Sequence, residues 1–296
     1  MKKNIRLSFI TLLLLLIPAL VFARAMDPVV STDWLEANLK TPKLVIVDIR
    51  KVEDYRAGHI PGAVNIFYGS WAIKKNDLLN EVTYKDDLTD LLIDSGIQND
   101  SLVVVVGKTG IPSERADGPR VALTLHYAGV TNVALLDGGQ EKWVAENKAI
   151  STEAARPEDG SYEENFNPNV FTDKKGVLSK IGEAVIVDVR ESAFYKGEKK
   201  KNFVSKAGRI KGAVNLPTNQ VYTASGTFRP KEDLLKIAEP VVGSDKIKEI
   251  IFYCDTGKAC STWWFLLQEH FGYQNARIYD GSMQEWTMDP NAPIEP

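Results

Sequence analysis

The apolar positions of this chain gather into short β-branched runs, separated by longer amphipathic stretches. Leu44 to Val47 and Leu102 to Val106 read as buried strands, and Pro119 to Tyr127 reads as a helix. Val133 to Leu136 is a further strand, ended by Asp137, Gly138 and Gly139. The pattern then returns. Ala184 to Val187, Ile250 to Tyr253 and Ala276 to Tyr279 are the matching strands, and Thr262 to Phe271 predicts the helix after the second of them. This alternation predicts an α/β fold, each half a mostly parallel central sheet flanked by helices.

The letters repeat as well as the periodicity. LVIVDIR and HIPGAVNI in the first half answer AVIVDVR and RIKGAVNLP in the second, so Asp48 matches Asp188 and Arg50 matches Arg190. LVVVVGKTG answers EIIFYCDTG, which sets Gly107 opposite Cys254, and VALLDGGQEKW answers ARIYDGSMQEW, which matches Trp143 with Trp286. Two domains are expected at 27–150 and 169–296, joined by a Glu-, Pro-, Gly- and Asn-rich linker over 151–168. A cysteine kept in one copy predicts a division of labour, one half reactive and the other structural or regulatory. The second half also carries an insertion, EKKKNFVSKAGR, whose Lys199, Lys200, Lys201 and Lys206 form either a solvated loop or an attractor for an anion.

Composition changes little: 44% hydrophobic and 25% charged residues exclude disorder, fibres and a multi-span membrane protein. The N-terminus changes more. Lys2, Lys3 and Arg6 precede an apolar run from Leu7 to Ala23, and small residues stand at Ala23 and Ala25, so 1–25 is expected to be a cleaved signal peptide. The mature protein would then be exported, to a periplasm in the expected case, with no further membrane association. Cutting after Ala23 leaves 33 basic residues against 39 acidic ones, a net charge of −6, which argues against nucleic acid as a partner.

The only cysteines, Cys254 and Cys260, stand six residues apart, and a disulfide closing so small a loop would add little stability. Reactivity is the stronger reading. In YCDTGKACSTWWF, Cys254 falls at a strand's C-terminal end before a helix, where backbone N–H groups converge on the sulfur and favour its thiolate. Gly257 permits the tight turn and Lys258 adds a cation for an anionic substrate, while Asp255 opposes both. The histidines, His59, His126 and His270, are scattered and offer no ligand cluster for a metal.

These motifs, duplicated and in order, resemble the tandem rhodaneses, sulfurtransferases of the thiosulfate and 3-mercaptopyruvate type, over nearly the whole mature chain. The resemblance implies two rhodanese-like domains, the first catalytically inactive because Gly107 replaces the cysteine, and a reaction that needs no metal or organic cofactor. It implies that Cys254 takes the outer sulfur of a small anionic donor as a persulfide and passes it to a thiol, cyanide or a partner protein. Asp255, Thr256, Gly257, Lys258, Ala259 and Cys260 would form the loop around that sulfur. The chain departs from the family where Asp255 and Thr256 follow the cysteine, and where Ser192, Ala193, Phe194 and Tyr195 replace a usual arginine after the VDxR motif. Arg209 and Lys258 are the candidate substitutes for anion recognition. Asp188 with Arg190, and Asp48 with Arg50, are expected to be structural pairs, since they occur in both copies. Cys260 either resolves a persulfide, forms a regulatory disulfide with Cys254, or fills space as a small buried residue. An exported sulfur or selenium carrier with little turnover on small molecules is the alternative function. A phosphoryl-transfer loop is disfavoured because Cys260 stands where such enzymes place an arginine.

Overall fold

The computed structural model describes residues 24–157 and 160–296; most of the expected signal segment lies outside them. The first domain contains β1 (Val29–Val30), α1 (Thr32–Asn38), β2 (Leu44–Asp48), α2 (Val52–Ala57), β3 (Val64–Asn65), β4 (Ala72–Lys75) and β5 (Leu78–Val82). It continues through α3 (Lys85–Asp94), β6 (Leu102–Val106), α4 (Asp117–Tyr127), β7 (Val133–Leu136) and α5 (Gly139–Ala145). The second contains β8 (Phe171–Thr172), α6 (Lys174–Lys180), β9 (Val185–Asp188), α7 (Ser192–Tyr195), β10 (Arg209–Ile210), β11 (Val214–Asn215) and α8 (Lys231–Val242). After these come β12 (Ile250–Tyr253), α9 (Cys260–Phe265), β13 (Ala276–Tyr279), α10 (Ser282–Trp286) and β14 (Ile294–Glu295).

Both domains build a five-stranded, wholly parallel sheet in the same order, β1-β7-β6-β2-β3 in the first and β8-β13-β12-β9-β11 in the second. Strands covered on both faces can be apolar throughout, which is why β6 reads LVVVV and β12 reads IIFY. Val103 pairs with Val45 and Ile250 with Val185, so Gly107 and Cys254 occupy equivalent places one residue beyond their strands. Ten residues then separate Gly107 from Asp117, where α4 begins, but only six separate Cys254 from Cys260, where α9 begins. The loop of the first copy is longer by the difference.

Each sheet has an outer face with its own core, centred on Leu35, Ile46, Val104 and Trp143 in one domain and on Ile186, Tyr253, Tyr279 and Trp286 in the other. The inner faces share one core. Val47, Val105, Val121 and Leu125 of the first domain and Val187, Phe252, Trp263 and Phe265 of the second belong to a single continuous apolar cluster, with α4 packed on α9. Apolar cover on all sides explains why α9 is buried along its entire length, STWWF included. Beyond Phe265 it widens into a π turn at Leu266–His270, so the helix expected over Thr262 to Phe271 begins earlier and changes pitch.

The segment expected to be a linker is tied down. Ser151 exchanges backbone hydrogen bonds with His59, Gly160 N donates to Ile93 O, Tyr162 Oη donates to Ala128 O, and Asn167 N donates to Tyr127 O. Its polar composition suits a connector that runs over the first domain's surface, bonded to it at these points.

Candidate active site

Cys254 lies at the base of a cleft of about 630 Å³ between the domains, and only 3% of it is exposed. Val189, Phe194, Phe203 and Tyr222 give the cleft an apolar wall, and Arg190, Lys201, Arg115 and Lys258 bring cations to it. Pro112, Ser113, Arg115 and Ala116 come from the longer loop of the first copy. The position that lost its cysteine thus carries a loop extended far enough to cover the neighbour's site.

The loop from Cys254 to Ala259 is shaped by α10. Ser282 Oγ accepts from the amides of Cys254 (3.1 Å) and Gly257 (2.9 Å) and donates to Tyr279 O. The first amides of α10 close the other side, Met283 N donating to Cys254 O and Gln284 N to Asp255 O. Gly257 adopts φ +74°, and a Cβ there would lie 2.2 Å from Asp280 Oδ1, so only glycine fits. With its own carbonyls and base amides engaged, the loop brings the amides of Thr256 and Cys260 toward the Cys254 sulfur, while the Cys260 thiol donates to Gly257 O at 3.2 Å. Burial pushes the Cys254 thiol up and Asp255 adds to that, but hydrogen bonding within the loop outweighs both and brings it down to about 7. A large fraction is therefore thiolate at neutral pH.

The first domain reaches into this loop. Arg120 of α4, wholly buried, makes a bidentate pair with Asp280 (2.5 and 2.9 Å) and donates to Gly257 O (3.2 Å). The β4–β5 hairpin crosses over as well: Val82 N donates to Asp280 Oδ2, Asn80 Nδ2 to Thr256 Oγ1, and Leu79 N to Gln284 Oε1. The exchange is reciprocal, since Asp137, which matches Asp280 in the first copy, accepts from Phe228 N of the second domain.

The structure separates the two candidate anion binders. Lys258 borders the cleft, but its ammonium pairs with Asp117, donates to Ser113 O (3.2 Å) and lies over the Tyr68 ring, so it ties the domains together. Arg209 is not at the cleft. It lies on β10 beside β14, bonded to the carbonyl of Pro296 and near Glu295, with Tyr195 under its guanidinium. The insertion contributes Lys201, whose ammonium sits 5.2 Å from the Phe194 ring centre and pairs with no carboxylate among the described residues. Asp188 accepts two bonds from Arg190 Nε and one from Nη2, Arg190 Nη2 also donates to Gly208 O, and Asp48, Arg50 and Gly58 repeat that geometry. The second-domain Arg190 does one thing more. Its Nη1 reaches Asp255 Oδ1 at 3.5 Å and partly neutralises that carboxylate next to Cys254, although burial still raises the Asp255 carboxyl.

A cysteine at a strand end, cradled by amides at the C-terminal edge of a parallel sheet, twice built but once armed, has a counterpart among known domains. The rhodanese-like domain matches residues 31–146 and again 174–289. The chain belongs to the rhodanese family. A putative thiosulfate sulfurtransferase of Mycolicibacterium smegmatis is 34% identical over 280 residues, 91% of this chain and 98% of that protein. The sulfur carrier protein TtuD of Thermus thermophilus is 31% identical over 283 residues, 90% of this chain and 96% of that one. Among solved structures, the 3-mercaptopyruvate sulfurtransferase SseA of Escherichia coli shares the fold with a TM-score of 0.74 at 24% identity, covering 87% of this rhodanese and 99% of SseA. An EanB variant in complex with ergothioneine superposes with a TM-score of 0.77 at 25% identity, covering 90% of this chain and 70% of that one.

Sequence reasoning missed Ser282, Arg120 and Asn80. Ser282 had a signal, the change from DGG in the first copy to DGS in the second. The other two act from the opposite domain, and nothing local to them points there.

Proposed function

We propose that this rhodanese is a sulfurtransferase that carries sulfane sulfur as a persulfide on Cys254. The observation that carries the reading is a cysteine one residue beyond a central strand, in a loop gathered by Ser282, at a cleft with cations on its walls. With thiosulfate as donor, the Cys254 thiolate attacks the outer sulfur, the S–S bond breaks, and sulfite leaves with the bonding pair. The outer sulfur of the resulting persulfide is anionic, and amides that held the thiolate can hold it too. An acceptor such as cyanide or a thiol attacks that outer sulfur, and the electron pair returns to Cys254. Lys201 and Arg190 stand at the cleft where the donor's charge must sit. The first domain, with Gly107 at the equivalent place, has no nucleophile and serves as wall and brace. Export through the N-terminal segment belongs to the same reading.

Intact-mass spectrometry of the reduced protein before and after thiosulfate tests it. A gain of about 32 Da that requires Cys254 and is discharged by cyanide is expected. No gain with thiosulfate, 3-mercaptopyruvate or polysulfide would sink it. The kinship with a sulfur carrier protein favours one variant, in which the persulfide is held for a partner protein. Turnover separates the two: an enzyme cycles with thiosulfate and cyanide, whereas a carrier loads once and stops.

A further inference from the structure

Four cations border the cleft, and three of them are engaged. Lys258 is held by Asp117 and Ser113 O. Arg190 divides its guanidinium among Asp188, Gly208 O and Asp255. Arg115 donates to Thr109 O at 2.7 Å, to Ala224 O at 3.3 Å and to Thr223 O at 3.4 Å, over the Tyr222 ring. Lys201 differs. It is exposed, pairs with no carboxylate among the described residues, and rests its ammonium on the Phe194 ring. A ring attracts a cation without cancelling its charge, so the ammonium is steadied and still able to pair with an anion.

The insertion that carries Lys201 is built into the fold. Val204 is wholly buried in the outer core of the second domain, Ser205 N donates to Thr287 Oγ1, and Lys199 N donates to Ala193 O on α7. Two other lysines give their ammonium groups to backbone carbonyls, Lys200 to Val204 O and Lys206 to Pro290 O. Phe194 stands on α7, in the stretch that lacks the usual arginine, and the anchored insertion returns a positive charge to that place from further along the chain.

We propose that Lys201 binds the anionic group of the sulfur donor, and that a lone ammonium, with no free guanidinium beside it, makes the cleft select thiosulfate over the planar carboxylate of 3-mercaptopyruvate. The proposal rests on the reading that Cys254 is the sulfur carrier. A guanidinium grips a carboxylate through two parallel hydrogen bonds, whereas an ammonium is a compact point charge that asks for no planarity. Both guanidinium groups at the cleft are occupied, so neither offers its fork to a carboxylate. Attraction to a point charge grows with the charge of the partner, and thiosulfate is a dianion where 3-mercaptopyruvate is a monoanion. The charge of Lys201 is also felt beside the nucleophile: burial raises the Asp255 carboxyl, and Arg190 and Lys201 act against that rise.

The test is the second-order rate constant for loading Cys254 from each donor, followed by intact mass in the full protein. The parent should load from thiosulfate about tenfold faster than from 3-mercaptopyruvate. Lys201→Met should slow loading from thiosulfate by about tenfold, through a higher half-saturating concentration with the limiting rate little changed. Discharge of the loaded protein by dithiothreitol, an uncharged thiol, should keep its rate, because the donor has already left. Lys201→Arg keeps the charge, supplies a fork, and should shift the ratio of the two constants several-fold toward 3-mercaptopyruvate. Lys199→Met removes an exposed charge from the same insertion and should behave as the parent. Unchanged loading in Lys201→Met, an equal fall in Lys199→Met, or a parent that prefers 3-mercaptopyruvate would overturn the proposal. The parent alone keeps the two readings apart. If it gains no sulfur from thiosulfate, 3-mercaptopyruvate or polysulfide, sulfur transfer is refuted; if it loads and Lys201→Met loads equally well, only the role of Lys201 is.

Discussion

Ser282 shows how little separates the armed copy from the unarmed one. Its hydroxyl gathers the amides of Cys254 and Gly257, and it holds φ +48°, a strained place for a side chain that glycine would take freely. The first copy has Gly139 there at φ +56°, where a Cβ would lie 2.3 Å from Gly107 O. Ser282→Gly should therefore relieve backbone strain yet release two amides, slowing persulfide loading on the order of tenfold with little change in Tm, measured by stopped mass analysis and calorimetry. Asp255 acts in the opposite sense, since its charge pushes the Cys254 thiol up. Asp255→Asn is expected to lower the pH midpoint of alkylation and to raise kcat/KM for thiosulfate several-fold; a fall in both would show that the carboxylate serves the reaction. At this scale the reacting loop could be read from the residues themselves, because its chemistry is contiguous from Cys254 to Cys260. The cations could not. Whether Lys258 and Arg209 face a cleft or a carboxylate depends on Asp117 and on the C-terminal strand, both remote in sequence.

At the scale of elements, the three central strands of each sheet were legible as β-branched runs, since strands buried on both faces leave an uninterrupted signal, whereas the two-residue edge strands were too short to leave one. The β4–β5 hairpin was not read, although Asn76 and Asp77 at its tip have positive φ and are the residue types that such a turn selects. Its partly buried residues made it look like a loop, and what it buries against belongs to the other domain. The hairpin and α4 support the reactive loop in trans, so the isolated second half, from about Asn169 onward, should be poorly soluble or load sulfur far more slowly than the whole chain. Soluble expression with undiminished thiosulfate turnover would refute this. Asn80→Ala, which removes the bond to Thr256 and the one accepted from Tyr68 Oη, should slow loading by a few-fold without altering solubility.

For the whole molecule, pH should act on the domain boundary. Glu81 on the hairpin is pushed up to about 7, chiefly by burial and then by Asp280, against an ordinary value of 4.5, and its Oε1 has no hydrogen-bond partner. The folded state holds that proton more tightly than the unfolded chain, so its contribution to stability is present below about 4.5 and is lost as pH rises through about 7. Glu81→Gln should leave Tm unchanged near pH 4.5 and raise it at pH 8; Glu269, also pushed up to about 7 by burial, would keep part of the slope in the variant. Equal Tm for parent and variant at both pH values would count against the assignment.

The single core that spans both inner faces has a last consequence. Two domains fused through one apolar layer would have to expose it to swing apart, so the cleft is expected to stay closed to a large visitor. Cys254 at its base is 3% exposed. Any protein that collects sulfur here must bring its nucleophile on a slender projecting end, a chain terminus or an extended loop, because a flat surface would stop at the rim.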